Sequence, residues 1–200
     1  MSVFDSLIDD AMKERPIVFA ADAVPAIYDL METQTRRLVL PQPASARSAI
    51  SAQCPYGEPG DTLWVREKWA ILTKTVVYGA KTALYDRTRT QLQSVKWNSP
   101  TTMPRSAARL FLTIRNVRIQ RLQDITKGEA QEEGYEFSAR YFPREWFALT
   151  WDRSARRSGY TWKKNPFVWV IEFKVDESKT KDVRENMRPV ACAYPVGLQG

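Results

Sequence analysis

The sequence contains no histidine, and that absence removes more chemistry than any other property of its 200 residues. Neither a Ser-His-Asp triad nor a Cys-His dyad can be assembled, and a zinc site with an imidazole ligand is equally impossible. Cysteine is almost as scarce. Cys54 and Cys192 are too few for an all-cysteine zinc site, and two distant, unpatterned thiols are not a disulfide framework. A reducing compartment follows, and neither a metal nor a cofactor is expected. No apolar run approaches the roughly 20 residues that a membrane-spanning helix needs. The first sixteen residues are amphipathic and carry Asp5, Asp9 and Asp10, unlike a secretory or basic targeting peptide. The expectation is a cytoplasmic protein without a membrane partner.

What is present is ordinary globular material with two biases. Hydrophobic residues make up 44% and charged residues 26%, which argues against disorder and for one full-sized domain. Seven Trp, eight Tyr and eight Phe supply a core, a base-stacking surface, or both. The net charge of +7 suits a polyanionic partner, because neutralising phosphates releases counterions; an inert basic surface is the competing reading. The charged stretch 176–188 holds four acids and four bases, so the excess belongs to the body of the protein.

Along the chain, residues 3–12 read as a short helix ended by Pro16, Ile17 to Ala20 as a strand, and Val24 to Met31 as a helix behind a cap at Asp22. Thr33 to Leu40 reads as a strand. Pro41 to Gly60, with four prolines and two glycines, reads as an ordered loop turning into a strand at Leu63 to Trp69. Thr75 to Tyr78 and Ala83 to Arg87 suggest a hairpin. From Arg109 to Leu122 a long strand changes parity: Leu110, Leu112 and Ile114 share one face, whereas Val117 and Ile119 take the other. That phase change predicts a β-bulge near Arg115 and Asn116. Asp124 to Glu133 reads as a helix stopped by Gly134, and Arg144 to Arg153 as one packing through Trp146, Phe147, Leu149 and Thr150. Phe167 to Val175 is apolar on both parities, a strand buried on both faces. Strands with a few intervening helices give an α+β fold around a bent sheet or barrel. The expected organisation is a helical extension over 1–15, a domain over 16–175 and a tail over 176–200.

Three segments carry candidate chemistry. In Thr33-Gln34-Thr35-Arg36-Arg37, strand alternation puts two hydroxyls and a guanidinium on one face, suited to a phosphate or base edge; a plain half-exposed strand is the alternative. In Gly57 to Trp69, Arg66 and Glu67 must face opposite sides. Trp64 with Arg66 makes a stacking and charge pair if both face solvent, and Arg66 needs a buried carboxylate if they do not. In Ile125 to Gly134, Thr126 and Glu129 form a capping box, and Glu129 and Glu133 share a helix face. A glutamate there can serve as a general acid or base, or simply be solvated. A basic ladder of Arg105, Arg109, Arg115, Arg118 and Arg121, with Lys163 and Lys164, interleaves with Trp97, Phe111, Tyr141 and Trp162.

These segments together resemble the phage and prophage members of the ASCH-domain family. The matching runs are Thr33 to Arg37, Cys54 to Glu67, Met103-Pro104-Arg105, Arg121 to Ile125 with Glu133-Gly134, and Asn165 to Phe173. They occur in order over about residues 16–175. The resemblance implies a PUA-like β-barrel with flanking helices and a cleft for RNA or a modified nucleoside or nucleotide. Arg36, Arg37, Trp64, Arg66, Glu67, Trp97 and Arg105 are its candidate binding residues. Small bacterial relatives are amidohydrolases acting on N(4)-acetylcytidine, using a lysine three residues before a threonine and a glutamate on the later helix. By motif these are Thr35 as nucleophile and Glu133 as general acid. The lysine position holds Glu32, and Lys68, where phage relatives tend to carry threonine, is the candidate replacement. Binding and hydrolysis (of an acetylated nucleoside, or of RNA without metal) both stay open. A third reading is a phage accessory protein that binds a host protein through its tail.

Overall fold

The computed structural model describes residues 13–45, 48, 53–72, 75–82, 95–135 and 141–180. Its centre is a five-stranded sheet built from β1 (Glu14–Val18), β2 (Gln34–Leu38), β3 (Thr62–Arg66), β6 (Phe111–Arg121) and β7 (Phe167–Val175). The order is β1-β3-β6-β7-β2, with β1 parallel to β3 and the other pairs antiparallel. A separate hairpin pairs β4 (Trp69–Leu72) with β5 (Thr75–Tyr78). The longer helices are α1 (Ala23–Tyr28), α2 (Lys127–Glu132) and α3 (Pro143–Ala155), and a single helical turn spans Gly79–Thr82. None of the described helices is long and apolar enough to cross a membrane.

The mixed α+β architecture agrees with the sequence, and so does the bulge. The register of β6 against β7 shifts between Ile114 and Asn116, where the apolar parity changes. β7 is buried on both faces for a reason its composition announced. Trp169, Ile171 and Phe173 enter one core with Leu63, Val65, Leu112, Ile114 and the Val24 and Ile27 side chains of α1. Val168 and Val170 enter a second core beneath α2 and α3, with Ile125, Phe147 and Trp151. The two cores lie on opposite sides of one sheet.

The expected closed barrel is not what the strand pairings make: β1 and β2 remain edges. The sheet nevertheless curls until the edges approach, because Arg37 of β2 reaches over the Phe19 ring (4.8 Å) and donates to the Val18 carbonyl of β1 (2.8 Å). A side chain closes the seam that backbone bonds leave open.

Smaller departures are local. β1 begins at Glu14, so its strand takes in two residues expected in the helical extension, and Pro16 is tolerated there because β1 is an edge. α1 stops at Tyr28 rather than Met31, and Asp22 makes no capping bond. The hairpin uses Trp69–Leu72 as the partner of Thr75–Tyr78; residues 3–12, Ala83 to Arg87 and Cys192 lie outside the described residues. In α3, Phe147, Trp151 and Ala155 are buried, whereas Leu149 is half exposed and does not pack as expected. Of the tail, 176–180 folds back on β6: Asp176 N–H donates to the Phe111 carbonyl (2.8 Å).

Candidate functional site

The segment Glu32 to Arg37 lies along a free sheet edge, and α2 covers that edge. Thr126 and Glu129 form the expected capping box, and Gly134 follows at φ 85°, a conformation that suits a residue without Cβ. This turn lays Glu133 against the strand. Thr33 N–H donates to the Glu132 carbonyl (2.9 Å), and Glu32 and Glu133 form an antiparallel bridge. Directly bridged residues carry their side chains on the same side, about 5 Å apart at Cβ. Two carboxyl groups are thereby set side by side.

Arg36 decides which of the two keeps its charge. Its guanidinium is wholly buried, over the Phe147 ring (5.6 Å), and its Nη1 donates to Glu133 Oε1 at 2.6 Å. The Arg36 backbone N–H on the free edge donates to Glu133 Oε2 (3.3 Å). Burial lifts the Glu133 carboxyl to about 7 even though Arg36 pulls it down. Glu32 has no such counter-ion. Burial first, then the Glu133 charge, raise it to about 9 against the weaker pull of Arg37, with Asp22 adding to the rise. At neutral pH Glu32 is therefore a protonated acid, whereas Glu133, bonded to Arg36, titrates close to neutrality.

The same edge continues into a charge network. Glu129 Oε2 lies 3.3 Å from Arg36 Nη2, and Arg118 bridges Glu129 to Glu172. Burial pushes Glu129 upward, but the Thr126 backbone N–H, Arg118 and Arg36 outweigh it and hold its carboxyl below the usual range. The shared helix face of Glu129 and Glu133 thus serves Arg36 rather than solvent. Gln34, fully buried, donates to the Glu129 carbonyl (3.0 Å).

Strand alternation sorts the other candidates. Thr35 and Arg37 turn to the inner face of the curl. Thr35 is 5% exposed, and its hydroxyl has no hydrogen-bond partner among the described residues. On β3, Leu63 and Val65 face inward and Glu67 follows that parity, pairing with Arg109 through two bonds of 2.6 and 2.8 Å in full burial. Glu67 taking the inner position sends Arg66 and Trp64 to the outer face. There Trp64 is buried with Ala108 and Phe111, and the Arg66 guanidinium stacks on its ring at 4.5 Å. The expected gathering of Thr35, Arg66 and Glu133 around one hollow does not form: Thr35 faces inward, Glu133 caps the β2 edge and Arg66 faces outward. Arg66 and Arg37 do share a neighbour. Val18, whose carbonyl Arg37 holds, is the register partner of Arg66, and Phe19 N–H donates to the Arg66 carbonyl (3.0 Å).

Lys68 is exposed, with its amine over the half-buried Trp97 ring (5.3 Å). It makes no bond to Thr35 or Glu32, and the charges acting on Glu32 are those of Glu133, Arg37 and Asp22. Lys68 is therefore not placed beside Thr35 as the resemblance led us to expect. Arg105 sits over Phe111 and donates twice to Glu14 (2.6 and 3.0 Å), holding that carboxyl below the usual range. Arg105, Arg109 and Arg118 are thus all in ion pairs, so the basic ladder is no continuous surface. Sequence reasoning missed the Glu67–Arg109 and Glu32–Glu133 partnerships; the former joins residues 42 positions apart with no local signal.

No protein-family model matches this sequence, and no curated protein matches it. Similar solved structures include the ASCH domain from Lactobacillus crispatus JV V101, with 13% identity over 88% of this chain and 86% of that one, TM-score 0.47. Protein EF3133 from Enterococcus faecalis V583 shares 10% identity over 86% of this chain and 89% of its own, TM-score 0.44.

Proposed function

We propose that this chain is a phage-type ASCH-domain protein that binds RNA, or a nucleoside or nucleotide derived from it, at the end of β1. The observation that carries this reading is a pair of half-buried guanidiniums, Arg37 on Phe19 and Arg66 on Trp64, flanking Val18 and Phe19. Neither meets a carboxylate within ion-pair distance among the described residues, and each has a buried Nε–H without a partner. A partly desolvated charge left uncompensated is costly, and a phosphate or base edge supplies the missing acceptor. Stacking on an aromatic ring fixes the guanidinium plane while its edge stays available for bidentate bonding. The order of the sequence motifs supports the same family reading, and the +7 charge supports an anionic partner.

Hydrolysis through Thr35 lacks support from the neighbouring groups. Glu133 is committed to Arg36, Glu32 replaces the lysine, and Lys68 lies over Trp97. We expect no cytidine from acetylated cytidine. Binding is tested by fluorescence anisotropy with labelled single-stranded RNA across a salt series. Arg66→Ala weakens binding about uniformly across sequences and flattens the salt slope, whereas Arg105→Ala, already neutralised by Glu14, changes little. Absence of RNA affinity at low salt refutes the reading.

A further inference from the structure

A concavity lined by neither Arg37 nor Arg66 lies beside α3. A groove of about 450 Å³ runs between the start of α1 and the outer side of α3, with Asp22 on one wall and Tyr141, Trp146, Leu149, Arg153 and Arg156 on the other. Its size fits a single nucleotide, and its chemistry is unusual for an idle surface. Trp146 is held by an edge contact with Tyr135 (5.6 Å between ring centres), so its remaining face is a fixed platform. Arg153 and Arg156 are exposed, and neither makes an ion pair among the described residues. Asp152 also lines the groove and accepts the Trp162 backbone N–H through Oδ1.

Charge concentrates in the same segment. Residues 141–164 hold six Lys or Arg against Glu145 and Asp152, a net +4 of the protein's +7. The groove also adjoins the first position, since Asp22 follows Phe19 by three residues, at most about 10 Å of extended chain.

We propose that this groove is a second nucleotide position, in which a base of single-stranded RNA stacks on Trp146 while Arg153 and Arg156 hold the flanking phosphates. The inference rests on the RNA-binding reading above and adds to it the substrate class: a strand that spans both positions, rather than a free nucleoside. An aromatic platform with exposed arginines beside it is the combination that binds single strands without reading sequence.

The test uses the full chain with fluorescein-labelled oligouridylate, as a decanucleotide and as a dinucleotide. Arg153→Ala/Arg156→Ala, at exposed positions outside both cores, weakens decanucleotide binding and makes its salt slope shallower by about 1.4, the value for two phosphate contacts on a single strand. It leaves the dinucleotide unaffected, whereas Arg66→Ala weakens both. Trp146→Ala costs about tenfold on the decanucleotide, the lower end of one base–aromatic stack. Decanucleotide binding with unchanged affinity and slope in the double variant overturns the second position and leaves the first standing. Failure of wild type to bind either RNA overturns both. Competition by polyglutamate as effective as by unlabelled RNA also overturns it, and assigns the groove to an acidic protein partner.

Discussion

Replacing Glu32 by glutamine separates a buried acid from a charged one without altering shape, and its effect depends on pH in a calculable way. In the unfolded chain this carboxyl ionises near 4.5; in the native protein burial and the Glu133 charge hold it protonated up to about 9. The native fold binds this proton more tightly, so stability is fully present below pH 4.5 and is lost as pH rises toward 9. Between pH 4.5 and pH 7 the unfolded chain releases the proton while the native state does not. At 1.36 kcal/mol per pH unit, that costs the native state about 3 kcal/mol at pH 7, a ceiling because the bridge can relax. Glutamine carries no such cost. Glu32→Gln therefore matches wild type at pH 4.5, exceeds it by up to about 3 kcal/mol at pH 7, and leads further at pH 9. Urea denaturation at the three pH values reads this as a rightward shift of the midpoint at unchanged m. Parallel wild-type and variant curves from pH 4.5 to 9 refute the argument, because they place Glu32 in contact with solvent or a cation.

Other substitutions separate structural from surface charges. Glu133→Ala leaves the wholly buried Arg36 guanidinium with Glu129 alone, at 3.3 Å, and destabilises by about 3 kcal/mol, measured by urea unfolding. Glu67→Ala strands the Arg109 guanidinium and destabilises by about 3–5 kcal/mol, while Glu14→Ala, which breaks an exposed pair, costs about 0–1 kcal/mol. Gly134→Ala destabilises by about 1–2 kcal/mol, because φ of 85° is strained for an L side chain and its Cβ would stand 3.2 Å from Glu32 Oε2. If Gly134→Ala is neutral by thermal unfolding, the turn holding Glu133 to the strand is looser than drawn.

What the sequence determined by itself was whatever a single strand or helix records locally. The double-sided apolar pattern of Phe167 to Val175 required cover on both faces, and α1 and α3 provide it. The parity change at Arg115 and Asn116 located the bulge, and Thr126 with Glu129 marked the capping box, although the helix expected from Asp124 begins only at Lys127. The absence of histidine excluded whole reaction classes before any coordinate was needed. Local patterns also showed that Arg66 and Glu67 face opposite ways, but not which of them goes inside. Tertiary structure decided that, because the partner claiming Glu67 is Arg109, far along the chain and visible only once β3 and β6 pair. The same holds at Glu32. Its type departs from the lysine that the resemblance implies, yet its protonation follows from burial first and then from Glu133, which α2 brings alongside by folding onto the β2 edge. Backbone periodicity is encoded within a few residues, whereas the electrostatic identity of a buried group is set by how deeply the fold buries it and by the distant charges brought beside it.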